Sequence, residues 1–260
     1  MKSKNRGVYR AIGTAELHSP EDKRRYNRHL FAVVATRYDV VTRFLSFGRD
    51  QAWKRRLLRL SLSPRREIHR VLDLACGTGD ITLALHQRFP HSQVTGLDLT
   101  GEMIHRAQRR ASTLTHHGTG SLTFVEGDMN ALPLGDAQVD LVTGGYALRN
   151  APDLNHALSE VYRVLRPAGW ALFLDFSAPP APILRALQYR VLRFWGEVWG
   201  VVLHGDPHVY GYIARSLRVF PTVPELAHRA ERAGFAVRYS PLLMGGMMQI
   251  LRLEKPSRES

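Results

Sequence analysis

Hydrophobic positions in the middle of the chain come in short runs separated by amphipathic stretches. "VLDLA" (71–75), "QVTGLDL" (93–99), "LTFVEGD" (122–128), "VDLVTGG" (139–145) and "GWALFLDF" (169–176) are too short for buried helices and predict strands. Between them, "DITLALHQRF" (80–89), "GEMIHRAQRRAS" (101–112) and "HALSEVYRVL" (156–165) place apolar residues at the three- and four-residue spacing of a helix face. Strand and helix alternating in this way predict an α/β fold, a mostly parallel sheet with helices on both faces.

The flanks are more helical. From 26 to 62 the apolar residues Phe31, Val34, Ala35, Phe44, Leu45, Trp53, Leu57 and Leu58 recur at irregular helical spacing, and Pro64 closes the run. Residues 1–25 read as a flexible basic tail. The Pro-rich "SAPPAP" (177–182) breaks the alternation, and 183–206 is helical without a clean polar face. An amphipathic helix, "PELAHRAERAGF" (224–235), ends at Gly234, and 236–255 predicts a terminal strand pair. The expected organisation is one domain over 26–260. It has a helical cap (26–62), a ligand-binding core (71–176), a lid (183–220) and a terminal helix with strands (224–253).

Charge narrows the setting. The 36 Lys and Arg against 23 Asp and Glu leave +13, which favours an anionic partner: nucleic acid, an acidic membrane surface or an acidic substrate. No run of eighteen apolar residues occurs, and the basic N-terminus lacks the apolar core of a secretory signal. The single cysteine, Cys76, excludes an internal disulfide framework. The expectation is a cytoplasmic protein touching the inner face of a membrane.

The most informative local motif is "VLDLACGTGD" (71–80), a strand running through Gly77-Thr78-Gly79 into a helix. Glycines let backbone approach a ligand, and the helix start offers free N–H donors. A dinucleotide site would continue G-x-G-x-x-G, but position 82 is Thr. Asp73 and Asp80 bracket the loop and make it read as acidic, which suits the ammonium and sulfonium of S-adenosylmethionine better than a pyrophosphate. Asp98 at the second strand end can accept ribose hydroxyls. Asp128 at the third can accept the adenine amine, with Met129 against the ring. The twelve histidines show no metal-ligand spacing beyond His204 and His208.

Four further blocks carry a resemblance: "YDVVTRFLSFGRDQAWKR" (38–55), "GYALRN" (145–150), "EVYRVLRPAGWALFLDFS" (160–177) and "YGYIARSLRVFPTVPELAHRAERAGF" (210–235). In this order they resemble the ubiquinone/menaquinone biosynthesis C-methyltransferases, over residues 26 to 240. The resemblance implies a Rossmann-like class I methyltransferase with a seven-stranded sheet, N-terminal helices and an inserted lid. It also implies S-adenosylmethionine as cofactor and methyl transfer to a ring carbon of a prenylated quinol. Leu99 and Gly145 complete the cofactor set of Asp73, Gly77, Thr78, Gly79, Asp98, Asp128 and Met129. Phe47, Trp53, Tyr146, Tyr210 and Tyr212, in the same blocks, are the expected substrate residues. Thr42, Asp50, Gly145, Asp175 and Gly205 depart from the family pattern, where Asn, His, Ser, Glu and Asn are usual.

Methylation at carbon needs a phenolate ortho to the reacting position, a group that stabilises it, and close alignment with the methyl donor. Arg149 is the expected stabiliser, acting directly or through an oriented water. Asn150 positions a quinol oxygen, and Tyr38 closes the other side. Water, Asp128 and His204 remain open as proton acceptors, since an arginine stays protonated. Phe194, Trp195 and Trp199 beside Arg185, Arg190 and Arg193 suit a membrane interface or a prenyl-tail groove, and for the two tryptophans core packing of a capping helix is at least an equal reading. A second copy of the chain or a quinone-synthesis complex is the expected assembly. The alternatives are a methyltransferase of another small aromatic or polyketide metabolite, an RNA-directed protein and a non-catalytic member of such a complex. RNA fits poorly: the fourth strand lacks Asn-Pro-Pro-Tyr, no stacking platform stands out, and the sole cysteine lies in the glycine loop.

Overall fold

The structure is a computed structural model describing residues 19–46, 48–62, 67–114, 118–204, 208–238 and 242–257. It opens with α1 (Pro20–Val34), α2 (Tyr38–Leu45) and α3 (Asp50–Leu60). The core follows as β1 (Arg70–Leu74), α4 (Asp80–Arg88), β2 (Gln93–Asp98), α5 (Gly101–Ala111), β3 (Ser121–Glu126), β4 (Val139–Gly145), α6 (Leu154–Val164) and β5 (Leu165–Phe176). A helical pair, α7 (Pro182–His204) and α8 (His208–Val219), precedes α9 (Val223–Arg232), β6 (Ala236–Arg238) and β7 (Met248–Glu254).

The seven strands form one sheet in the order β3-β2-β1-β4-β5-β7-β6. Strands β1 to β5 are parallel, and β7 runs antiparallel between β5 and β6. The order reverses between β1 and β4, the crevice at which such sheets bind ligands. On one face Leu72, Val142, Phe173 and Leu253 pack against Leu158 and Val161 of α6 and Leu226 of α9. On the other, Val71, Leu141 and Leu172 meet Trp53 and Leu57 of α3 and Ile81 and Leu85 of α4. Each such fully buried side chain contributes roughly 1.5–3 kcal/mol, so the sheet is the rigid member on which the loops hang.

One expectation is corrected, and one open alternative is decided. The tail expected over 1–25 ends earlier, because α1 starts at Pro20, with Ser19 as N-cap and Glu21 and Asp22 in the first turn. Ser-Pro-Glu-Asp is a helix-start signature, with proline at the first helical position and acids facing the positive end of the dipole. The two tryptophans of α7 do not face outward with Phe194. Trp195 and Trp199 pack on the α1 cluster of Tyr26, Leu30 and Val34. Phe44 of α2 stacks on Trp199 with ring centroids 4.3 Å apart, because those large rings bury more area between helices than at a surface.

The glycine loop owes its shape to few contacts. Gly79, the residue before α4, has φ +87°, and a Cβ there would lie 3.2 Å from both Ala107 and the Phe124 ring. Gly79→Ala therefore combines left-handed strain with overpacking, and should cost about 2–4 kcal/mol. A lowered urea midpoint with unchanged slope checks this; an unchanged midpoint would show that the loop can relax.

Candidate active site

A cavity opens at the carboxyl ends of β1 to β4. Its lining includes Ala75 and Gly77 of the loop, Asp98, Leu99 and Thr100 after β2, and Asp128 and Met129 after β3. Gly145, Tyr146 and Asn150 after β4 complete it on one side, and Asn27, Phe31 and Tyr38 of the N-terminal helices on the other. Of the residues predicted for cofactor, Gly77, Asp98, Leu99, Asp128, Met129 and Gly145 are thus brought together, along with Tyr38, Asn150 and Tyr146. Asp73, Thr78, Gly79, Arg149 and Trp53 lie outside this lining. Phe47 falls outside the described residues, as do the side chains of Tyr210, Tyr212 and His204.

Hydrogen bonds explain the division. The Asp98 carboxylate accepts the Gly77 N–H at 2.8 Å and the Thr100 N–H at 3.0 Å, tying the loop to the end of β2. Burial pushes its pKa up to about 6, against those two donors. Asp73 instead serves the scaffold. It is almost fully buried and accepts the hydroxyls of Thr82 at 2.6 Å and Thr143 at 2.7 Å, joining β1, α4 and β4.

The loop is not acidic in the way the sequence suggests. Asp80 receives Lys54 Nζ at 2.7 Å and pairs with Arg110 at 2.5 Å. Although burial acts to raise its pKa, Lys54 and Arg110 hold it below the usual carboxylate value. Arg110 also donates to the Thr78 carbonyl and hydroxyl, so Thr78 faces α5. Asp98 and Asp128 are the carboxylates that reach the cavity.

Asp128 is itself engaged. Arg24 Nε donates to it at 2.6 Å, and the Asn130 N–H donates to its other oxygen at 2.9 Å. Asn27 Nδ2 donates to the Asn150 carbonyl at 2.7 Å. The Tyr38 ring lies over Gly77, 3.6 Å from where a Cβ would sit. Helix α1, assigned in part to a tail from sequence, therefore supplies one wall of the cavity.

After β4 the chain turns sharply. Tyr146 adopts φ +60°, unusual for a bulky residue, and its N–H bonds the Leu174 carbonyl. A single 3-10 turn, Leu148–Asn150, follows. Arg149 is buried there, with its N–H on Asp175 at 2.9 Å and its Nε 3.5 Å from the same carboxylate. Its Nη1 donates to Ser216 of α8 at 2.6 Å, and its guanidinium lies 5.4 Å from the Phe176 ring centre. Asn150 Nδ2 donates to the Tyr146 carbonyl at 2.8 Å. Lys23 is the residue the sequence reading missed most plainly. Burial lowers its pKa to about 8, helped by the Arg149 charge and opposed by Asp175 and Asp153. Burial also raises Tyr38 and Tyr146, so both phenols stay protonated donors.

Behind Tyr146 lies a second cavity, almost wholly apolar, between α7 and β7. Phe176, Leu184, Leu187, Val191 and Met248 line it, together with Trp53. The Tyr146 and Phe176 rings, 5.7 Å apart, form the partition between the two spaces.

Residues 19–252 match the model of the ubiE/COQ5 methyltransferase family. The chain belongs to that family. A demethylmenaquinone methyltransferase of Thermus thermophilus is 38% identical, over 83% of this chain and 96% of its own. A ubiquinone/menaquinone biosynthesis C-methyltransferase of Methylobacterium nodulans is 37% identical, over 92% and 94%. A putative methyltransferase of Haloferax volcanii, solved with its Trm112 activator, superposes with a TM-score of 0.60 over 87% of this chain and 97% of that chain. At 20% identity it speaks for the fold alone.

As a member of the ubiE/COQ5 family the chain is an S-adenosylmethionine-dependent methyltransferase with a Rossmann-like fold. The first cavity fits that cofactor. Two carboxylates stand at neighbouring strand ends, and Gly77 keeps the loop backbone bare where it meets the space. Some of the family departures also have a structural account. Asp50 lies 3.4 Å from Lys54 and so belongs to the chain of charges that holds Asp80. At Gly145, a Cβ would meet Ile81 Cδ1 at 2.6 Å.

A carboxylate with pKa about 6 accepts ligand hydroxyls fully only above that pH. As pH falls through about 6 the proton competes with the ligand, so S-adenosylmethionine should bind up to about tenfold more weakly per pH unit. Titration calorimetry between pH 5 and 8 reads this directly, and Asp98→Asn should flatten the profile. A flat wild-type profile would remove Asp98 from the cofactor's partners.

Proposed function

We propose that the protein methylates a ring carbon of a prenylated quinol, of the demethylmenaquinol or 2-polyprenyl-6-methoxy-1,4-benzoquinol type. The observation that carries this reading is the seam between the two cavities. A space lined by the Asp98 and Asp128 carboxylates ends at Tyr146 and Asn150, an almost wholly apolar space suited to a lipid tail begins at Phe176, and a buried arginine lies over that ring. An aromatic head at the seam would have its tail in one space and its reacting edge toward the other. The names of the Thermus and Methylobacterium relatives agree with such a substrate.

S-adenosylmethionine supplies an electrophilic methyl group when bound. In this proposal Asp98 takes the ribose hydroxyls, Asp128 the adenine amine with Met129 against the ring, and Gly77, Leu99 and Gly145 shape the space. Asp73, Thr78 and Gly79 act one layer behind, by holding the loop.

Arg149 stabilises the quinol oxygen as its proton leaves, making the ortho carbon nucleophilic. Its own charge is held in place by Asp175 and Ser216, so little reorganisation is required when the phenolate forms. Asn150 fixes a second oxygen, and Tyr38 covers the site from the N-terminal side. The proton passes to a water oriented by Arg149. Both oxygens of Asp128 are already engaged, by Arg24 Nε and the Asn130 N–H. Lys23, its pKa lowered to about 8 by burial, lies in the field of Arg149. Trp53 and Phe176 seat the tail, with Tyr146 at its junction with the head.

A substrate of this kind resides in a bilayer, so the place of work is a membrane surface. Among the described residues no helix is long and apolar enough to cross a membrane, and contact would be peripheral.

Arg149→Gln should lower kcat by at least about a hundredfold, the scale of losing one charge-stabilising donor, while calorimetry shows cofactor affinity within a few-fold of wild type. Arg149→Lys should recover part of the loss. Assayed on a reduced short-chain quinol, near-normal turnover in Arg149→Gln would sink the assignment. In cells lacking the protein, accumulation of a demethylated quinone tests the substrate itself.

A further inference from the structure

Helix α7 presents an uncovered apolar stripe. Ile183 is 83% exposed and Phe194 65%, and Leu187, Val191, Val201 and Val202 are exposed beside them. At helical spacing these six fall within a sector of about 100°. Phe44 and Val40 of α2 add exposed apolar surface near the end of the helix where Trp199 lies. Scattered exposed apolar residues are ordinary, whereas a stripe along a helix of 23 residues is not.

A cationic groove runs along the same helix. Arg185, Arg190 and Arg193 of α7 and Arg218 of α8 line it, and among the described residues its lining contains no carboxylate. The Arg218 guanidinium lies over Tyr189, 3.8 Å from the ring centre, which holds it against the groove. Glu197 pairs with Arg193 through an exposed one-turn contact, the kind of surface pair that contributes little. Leu187 and Val191 belong both to the exposed stripe and to the wall of the apolar cavity, so that cavity meets the surface at the stripe.

We propose that the groove between α7 and α8 is a binding site for the phosphate headgroup of an anionic phospholipid, and that the stripe beside it lies in the bilayer interface. An apolar face flanked by arginines is the form of a helix lying in that interface: acyl chains take the stripe and guanidiniums take phosphate oxygens in fork geometry. A second copy is the other occupant to weigh. A two-fold contact through this face would set four arginines against four arginines, which charge repulsion opposes and anionic lipid relieves. The site therefore sets orientation as well as attachment, bringing the cavity's edge to the lipid side and leaving the cofactor cavity, lined from α1 and the loops, to water. This last point rests on the quinol reading; the headgroup site does not.

The test uses the full chain and two kinds of vesicle: phosphatidylcholine alone, and phosphatidylcholine mixed with phosphatidylglycerol. Cosedimentation should show binding to the mixed vesicles, weakening with salt, and little to the neutral ones. Arg190→Gln with Arg193→Gln removes two exposed charges and should weaken binding roughly fivefold per arginine, with turnover of a water-soluble quinol unchanged. Phe194→Ser should weaken it as well. Equal binding to both vesicle types, or an arginine variant that binds like wild type, would overturn the proposal. So would a concentration-dependent dimer that Phe194→Ser dissolves while vesicle binding stays the same. Vesicle binding without any quinol methylation would leave the headgroup site standing and remove the substrate reading.

Discussion

Carboxylates taken out of water at one edge of the sheet impose the constraint that organises the rest. Asp73, Asp98 and Asp175 are all buried at or near the carboxyl ends of their strands. A buried carboxylate is tolerated only where donors converge on it. Each of these recruits a different set. Asp73 takes two threonine hydroxyls, Asp98 two backbone N–H groups, and Asp175 an arginine with backbone N–H groups. Satisfying them fixes the glycine loop, the end of β2 and the turn after β4 relative to one another. The cavity is the space left between those three fixtures.

The N-terminal helices complete this edge. Arg24 and Asn27 bond residues that line the cavity, and Lys23 lies in the field of Arg149. A methyltransferase core supplies a general cofactor cradle. The appended helices decide how much of that cradle is covered, and by which charges. The pairing of Arg24 with Asp128 means that one of the two carboxylates lining the cavity is engaged by an element outside the core.

Much of the core was legible because its signals are local. Strand runs, helix periods and the Gly77-Thr78-Gly79 turn each announce themselves within ten residues, and strand ends carrying Asp98 and Asp128 follow from the alternation. What failed depends on partners distant in sequence. Asp80 looked like part of an acidic cradle because Lys54 lies 26 residues away, and Arg110 is joined to it only once α5 packs. Asp73 looked ligand-facing because nothing near it in sequence reveals Thr143 as its partner. Arg149 was legible as a charged residue at a strand end, but Ser216 and Asp175 were not legible as its holders. The early start of α1 could have been read, since Ser19-Pro20-Glu21-Asp22 carries both a cap and a dipole signal.

The aromatic partition of Tyr146 and Phe176 separates two environments that exchange molecules with different reservoirs. On the proposed reading, the spent cofactor leaves toward water and the methylated lipid leaves along the helix face, and neither has to clear the way for the other. Turnover would then have no compulsory order of arrival or departure. An enzyme built this way could reload its methyl donor while still holding a lipid, and its throughput would follow whichever reservoir is the scarcer.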